Sequence, residues 1–192
     1  MIRRALAGVV RRRLRGYPAV TLVGPRQCGK TTLARTLGGH YFDLEQEPER
    51  LRLDLQWERL ETGRALVVLD EAQAWPEVFP RLRSAIDRDR RRNGRFLLLG
   101  SVSPAIMSRV SESLAGRLAL VELVPFSLTE LPRVPLARLW HRGGYPDGGV
   151  LGTFPVGSGP YTYSDMTGSA FRVFRHLVGT FVGRYGVGVR GA

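Results

Sequence analysis

One cysteine in 192 residues, Cys28, excludes an internal disulfide framework and suits a reducing compartment such as the cytoplasm. No apolar run approaches the roughly 20 residues a helix needs to cross a bilayer, so no membrane partner is expected. The three histidines are scattered and make no metal-binding set with the lone thiol. Lysine is nearly absent: of 29 basic side chains only Lys30 is lysine, against 17 acids and a formal net charge of +12. Such a charge invites a nucleic-acid reading. Near-total replacement of lysine by arginine is also what a GC-rich coding bias produces, so the basic balance says less about nucleic acid than its size suggests. The same bias sharpens a different point. The retained lysine stands where a flexible point charge is needed and a planar guanidinium fits poorly.

What is present begins with a basic amphipathic segment. The first 15 residues carry six arginines and no acid, and Ile2, Leu6, Val9, Val10 and Leu14 recur at helical spacing. The composition is that of a transit peptide, but an apolar strand near Ala19 leaves almost no room for a cleavage site. A helix over residues 1–16, packed on the domain with its arginines in water, is therefore expected.

Five short apolar runs read as strands: Ala19–Val23, Tyr41–Leu44, Leu66–Leu69, Phe96–Leu99 and Leu118–Val121. The segments between them are long enough for helical crossovers, as parallel strands require. Leu66–Leu69 and Phe96–Leu99 lack polar alternation, so both faces should be buried and the fold class is an α/β three-layer sandwich. Helices are expected over Thr31–Leu37 and from Val78 through Ile86, the latter ending in the basic stretch Arg88–Arg92 before Asn93-Gly94. Between Glu49 and Leu60 there is neither glycine nor proline. Period-two alternation of Leu51, Leu53, Leu55 and Trp57 competes there with a helical face of Leu51, Leu55 and Arg59, and a helix is favoured.

The core should span residues 17–147. Beyond Asp147 the chain changes character: the last 45 residues hold 11 of the 23 glycines, one acid (Asp165) and no clear periodicity. Residues 148–192 read either as a disordered Gly-rich tail or as a stretch translated out of its original frame.

Residues 24–31, Gly-Pro-Arg-Gln-Cys-Gly-Lys-Thr, have the Walker A spacing, entered by an apolar strand and left by a helix. Gly24 and Gly29 allow backbone angles and close approach that a Cβ would block. The N–H groups of Pro25–Thr32, proline excepted, would form a nest with the helix N-terminus that accepts the phosphates of ATP. Lys30 would bridge the β- and γ-phosphates, and the Thr31 hydroxyl would ligate Mg²⁺. Cys28, near that helix N-terminus, should have a lowered pKa. The run Leu66–Glu71 delivers two carboxylates at a strand end. Asp70 would hold Mg²⁺ through its water shell, and Glu71 would polarise an attacking water. Ser101 follows another buried strand, where a polar sensor would stand between the acid and the γ-phosphate. Arg117, just before the last core strand, can point at a neighbouring subunit's γ-phosphate.

These residues, with Tyr41–Glu45 (YFDLE), Leu66–Gln73 (LVVLDEAQ), Arg95–Pro104 (RFLLLGSVSP), Glu112–Arg117 (ESLAGR), Pro125–Leu131 (PFSLTEL) and Arg142–Pro146 (RGGYP), resemble the prokaryotic AAA-domain ATPases that usually carry a C-terminal DUF4143 domain. The resemblance covers about Arg3 to Asp147. It implies an AAA+ P-loop core with a sheet ordered 5-1-4-3-2, supports Arg117 as an arginine finger, and makes Pro146 a candidate base contact. In the family a helical lid and the DUF4143 domain follow; nothing after Pro146 resembles either, so the sequence reads as an AAA core truncated there.

The expected function is Mg·ATP binding with slow hydrolysis, coupling nucleotide state to an unknown partner, for which a second copy of the chain and nucleic acid are both candidates. The alternatives are a nucleotide-dependent DNA-binding or interaction module without turnover, and a small-molecule kinase. The Asp70-Glu71 pair and the lack of a recognisable arginine-rich lid disfavour the kinase.

Overall fold

The computed structural model describes residues 2–101, 114–131, 133, 134, 139 and 143–146. Two compact units divide the chain, Met1–Arg133 and Val134–Ala192. In the second unit, the Gly143 N–H donates to the Leu139 carbonyl at 2.9 Å, and Gly143 adopts φ +69°. The expectations for residues 148–192 lie outside the described residues.

In the first unit the elements run α1 (Leu6–Gly16), β1 (Ala19–Gly24), α2 (Lys30–Arg35), β2 (His40–Asp43), α3 (Glu47–Thr62), β3 (Val67–Asp70), a 3₁₀ turn (Ala72–Ala74), α4 (Val78–Arg88), β4 (Phe96–Ser101) and β5 (Leu118–Glu122). The strands form one sheet in the order β2-β3-β4-β1-β5, with every pairing parallel. This is the three-layer P-loop order implied by the resemblance. All six residues of β1 are buried, because β1 lies between β4 and β5 and is covered on both faces.

The two faces follow from the two-residue period of a strand. Val67, Leu69, Phe96 and Leu98 point into a core with Phe79, Leu82 and Ile86 of α4 and Leu53 and Leu60 of α3. Their sequence neighbours Val68, Leu97 and Leu99 point into a second core with Val10 and Leu14 of α1 and Leu33 and Ala34 of α2. Helix α1 buries Ala7, Val10 and Leu14 on one stripe and leaves Arg11, Arg12, Arg13 and Arg15 exposed.

Helix α3 forms as expected, but with a different inward face. Leu51 and Leu55 are 58% and 88% exposed, whereas Leu53 and Leu60 are buried. The stripe that meets the sheet is Leu53, Trp57 and Leu60, at i, i+4 and i+7. Its anchor is the Trp57 ring stacked on Phe96, with centroids 6.3 Å apart and planes 8° from parallel. Strand β3 ends at Asp70 rather than Leu69, so the first acid of its carboxylate pair is itself a strand residue. Helix α2 is shorter than the periodicity suggests, ending at Arg35.

Candidate functional site

The strand order reverses at β1, which separates β4 from β5, and in open α/β sheets ligands settle at the carboxyl ends beside such a point. Gly24 closes β1 there, in register with Ser101 at the end of β4, and Asp70 closes β3 in register with Asp43. Three candidate groups from distant parts of the chain are thus carried to one rim by strand pairing.

The loop from Gly24 to Lys30 turns sharply. A Cβ at Gly24 would stand 2.2 Å from the Leu123 carbonyl oxygen, so only glycine lets the loop leave β1 beside the strand-β5 exit. Gln27 and Gly29 take positive φ, +61° and +95°, the left-handed conformations from which a concave nest of N–H groups is built. Arg26 and Gln27 are exposed, Pro25 and Gly29 half-buried and Cys28 fully buried. Lys30 is only 6% exposed, and its ammonium donates to the carbonyls of Gly24 and Pro25, both at 2.9 Å. The single lysine is folded back along the rim of its own loop. Thr32 lies exposed one residue beyond Thr31.

Across the rim, the Thr31 hydroxyl donates to Asp70 Oδ2 at 2.6 Å, and the Tyr41 hydroxyl from β2 donates to the same oxygen at 2.6 Å. The other carboxylate oxygen, Oδ1, accepts the Glu71 N–H at 3.0 Å. Asp70 is therefore oriented by three donors from α2, β2 and its own strand end. Burial, followed by the bond to Asp70, pushes the Tyr41 hydroxyl well above its ordinary pKa. Arg35 lies over that ring, 5.0 Å from its centroid.

Glu71 leaves the strand in a left-handed conformation, φ +46° and ψ +50°, uncommon for a residue with a Cβ. Strain of this kind at a strand end points a side chain where regular backbone would not. Its carboxylate accepts a bond from the Gln73 amide and a long one, 3.5 Å, from the Ser101 hydroxyl. Lys30, Thr31, Asp70, Glu71 and Ser101 are thus joined to one rim.

Two further expected site residues are Arg117 and Pro146. Arg117 precedes β5 at the amino end of the sheet, where Leu118 pairs with Ala19. Five strand residues, about 16 Å, separate that end from the loop. Its guanidinium forms a two-point ion pair with Asp87, Nε to Oδ1 at 2.8 Å and Nη2 to Oδ2 at 3.0 Å. Arg117 therefore does not meet the phosphate loop of its own chain. Pro146 belongs to the second compact unit.

One expectation is corrected. Cys28 has a raised thiol pKa, not a lowered one: burial dominates, and the positive charges of Lys30 and Arg4 offset it only in part. The side chain packs inward among Val20, Leu22, Leu33 and Leu99, so the thiolate-favouring helix end never acts on a solvated sulfur. Sequence reasoning also missed Tyr41 and Gln73 as partners of the two acids. Both stand inside quoted motifs, yet neither motif shows which oxygen a side chain will reach. Among the described residues no cluster of three or more His, Cys, Asp or Glu could hold a metal ion by itself.

The sequence of residues 16–132 matches the profile of a family described as AAA domain. Uncharacterized proteins of Mycobacterium tuberculosis and Mycobacterium bovis are each 43% identical over 148 residues, 75% of this chain. The chain spans about a third of the length of these curated relatives, 33% in both cases. Among solved structures, a Walker-type ATPase of Pyrococcus abyssi superposes with a TM-score of 0.59 at 19% identity, covering 76% of this chain and 65% of that one. At that identity the likeness is one of fold.

Proposed function

Because the chain belongs to the AAA-domain family, we propose that it binds ATP with Mg²⁺ and hydrolyses it slowly, coupling its nucleotide state to a partner in the cytoplasm. The observation that carries this reading is the 2.6 Å bond between Thr31 and Asp70. It brings the last residue of the phosphate loop against the acid of the neighbouring strand end, as a shared cation between loop and strand requires.

Thr31 and Asp70 suit Mg²⁺, since both offer hard oxygens and the ion keeps several of its own waters when held by one or two protein groups. When bound, Mg²⁺ neutralises charge on the β- and γ-phosphate oxygens. The chain's own residues do the rest. The N–H groups from Arg26 to Thr32 cradle the phosphates, and the Lys30 ammonium exchanges its two loop carbonyls for phosphate oxygens. Glu71 orients and polarises a water for in-line attack, and Ser101, within reach of Glu71, keeps that carboxylate aligned with the γ-phosphate. Pro146 is the proposed base contact. Arg117, engaged with Asp87 far from its own loop, is proposed to serve a neighbouring copy's γ-phosphate once released.

A second reading, nucleotide binding without turnover, draws on the bond from Gln73 to Glu71, which occupies the carboxylate that would hold the water. The test is ATP affinity and phosphate release by the purified chain beside Lys30→Ala. The leading reading expects both in wild type and neither in the variant. Phosphate passed to a small acceptor instead of to water would make the chain a kinase, and a folded wild-type chain that binds no ATP would overturn the proposal.

A further inference from the structure

The first 15 residues carry six arginines, and one of them is unlike the rest. Arg4, just ahead of α1, is only 8% exposed, whereas the arginines on α1 itself point to water. Its guanidinium uses three nitrogens at once. Nη1 donates to the Cys28 carbonyl at 2.7 Å, Nη2 to the Val124 carbonyl, and Nε to Glu130 Oε1 at 3.0 Å. Phe126 covers one face of the group, its ring centroid 4.5 Å from Cζ.

Glu130 is equally enclosed, with side-chain exposures of 7% for Arg4 and 6% for Glu130. Its Oε1 also accepts the Ala5 N–H at 2.9 Å, and its Oε2 accepts the Ser127 N–H at 3.1 Å. Burial raises the Glu130 pKa, but these N–H donors and Arg4 together outweigh it and hold the carboxyl below its usual range. A buried ion pair is not needed for stability alone, since well-packed apolar side chains of similar volume often serve as well or better. What an apolar pair could not do is reach the carbonyl of Cys28, inside the phosphate loop.

That contact has a directional consequence. In a trans peptide the C=O and the following N–H point in opposite directions. Holding the Cys28 oxygen against Arg4 therefore turns the Gly29 N–H away from Arg4. Gly29 is the residue with φ +95°, and its own carbonyl accepts the Leu33 N–H at 2.9 Å, so the next peptide, Gly29–Lys30, is held as well. A Cβ placed on Gly29 would lie 3.7 Å from Arg4 Nη1, which sets the guanidinium directly behind the turn.

We propose that Arg4, clamped by Glu130, is a positioning residue for the phosphate loop: it fixes the Cys28–Gly29 peptide so that the Gly29 N–H faces the nucleotide phosphates. The inference rests on the ATP-binding reading for its consequence, but the peptide orientation itself is a property of the free chain. Arg4→Met removes all three bonds, Arg4→Lys keeps one donor within reach of Cys28, and Glu130→Gln keeps Arg4 while weakening its clamp.

The first measurement is amide hydrogen exchange at Leu33, whose N–H bonds to the Gly29 carbonyl, in the free, full-length chain, with thermal melting alongside; the second is ATP affinity and the split of kcat from KM. Arg4→Met is expected to speed exchange at this amide and weaken ATP binding about tenfold, as loss of charge-assisted hydrogen bonds does. Arg4→Lys should recover part of both. If Arg4→Met does not fold, Glu130→Gln is expected to show the same two effects at smaller size. Lower melting with wild-type exchange at Leu33 and wild-type ATP affinity would reduce Arg4 to a structural residue and overturn the inference. Faster exchange at Leu33 in a chain whose wild type binds no ATP would uphold the positioning role and sink the ATPase reading instead.

Discussion

The two ends of the sheet place polar side chains against different partners. At the carboxyl end, apart from Lys30 on the Gly24 and Pro25 carbonyls, side chains bond to side chains: Thr31 and Tyr41 to Asp70, and Gln73 and Ser101 to Glu71. At the amino end, arginines bond mostly to main-chain carbonyls. Arg92 donates to the carbonyls of Glu61, Thr62 and Gly63, and Arg95 to those of Ala85 and Glu61. These are the orphan carbonyls at the last turn of α3 and within α4, and cations suit a helix C-terminus. Arginines that hold helix-end carbonyls terminate those helices and stay put. Groups that hold one another's carboxylates can exchange those partners for a ligand. The difference in partner, not in residue type, separates the structural end from the end proposed to carry the chemistry, and Arg4 is informative because it joins a carbonyl of the phosphate loop to a buried carboxylate.

Substitutions can break that contrast, and the largest effect should come at the carboxyl end. Glu71→Gln is expected to lower phosphate release by about 10²–10⁴-fold, the usual contribution of a positioned general base, while ATP affinity stays near wild type. Loss of binding and turnover together would mean that Glu71 shapes the loop rather than the water. Next, Arg95→Met should lower stability by about 2–3 kcal/mol in urea unfolding, since Arg95 is 4% exposed and its bonds are charge-assisted. Burial, and then the charge of Arg92, already pull its pKa down, a sign of how closed the site is. ATP affinity per folded molecule should not change; if it falls in step, the two ends are coupled.

The smallest effect concerns pH. Tyr41 has a folded-state pKa raised above the ordinary tyrosine value near 10. A raised folded pKa contributes stability that is fully present below the unfolded pKa and is lost as pH rises towards the folded one. Stability should therefore fall above about pH 10, and Tyr41→Phe should flatten that slope while costing about 1 kcal/mol near neutrality. An unchanged alkaline slope in the variant would mean that the Tyr41–Asp70 bond is not held in solution.

Much of this was legible beforehand, for reasons that differ by residue. The five strands and their parallel pairing followed from short apolar runs separated by crossover-length segments. Gly24, Gly29, Lys30 and Thr31 were readable because a phosphate loop is contiguous and its spacing is local. Asp70 and Glu71 were readable because a buried strand must deliver its next polar residues at its end. Helix α3 shows where such reasoning thins out: its leucines fit two periods, and only the meeting of Trp57 with Phe96 decides that Leu53 faces inward and Leu55 outward. Cys28 shows it again. Proximity to a helix N-terminus argues for a lowered thiol pKa, and burial reverses the sign.

By itself, the sequence determined the features that short-range rules carry: the α/β class, the phosphate loop, the paired acids at a strand end and the amphipathic first helix. Only the tertiary structure decided which distant groups share a bond. Arg4 meets Glu130 across 126 positions, and Tyr41 meets Asp70 across 29. The physical reason is that periodicity and motif spacing constrain a residue relative to its neighbours in the chain, whereas a hydrogen bond needs two atoms within about 3 Å. That precision arises only after strand order and helix packing have fixed every side chain relative to the sheet.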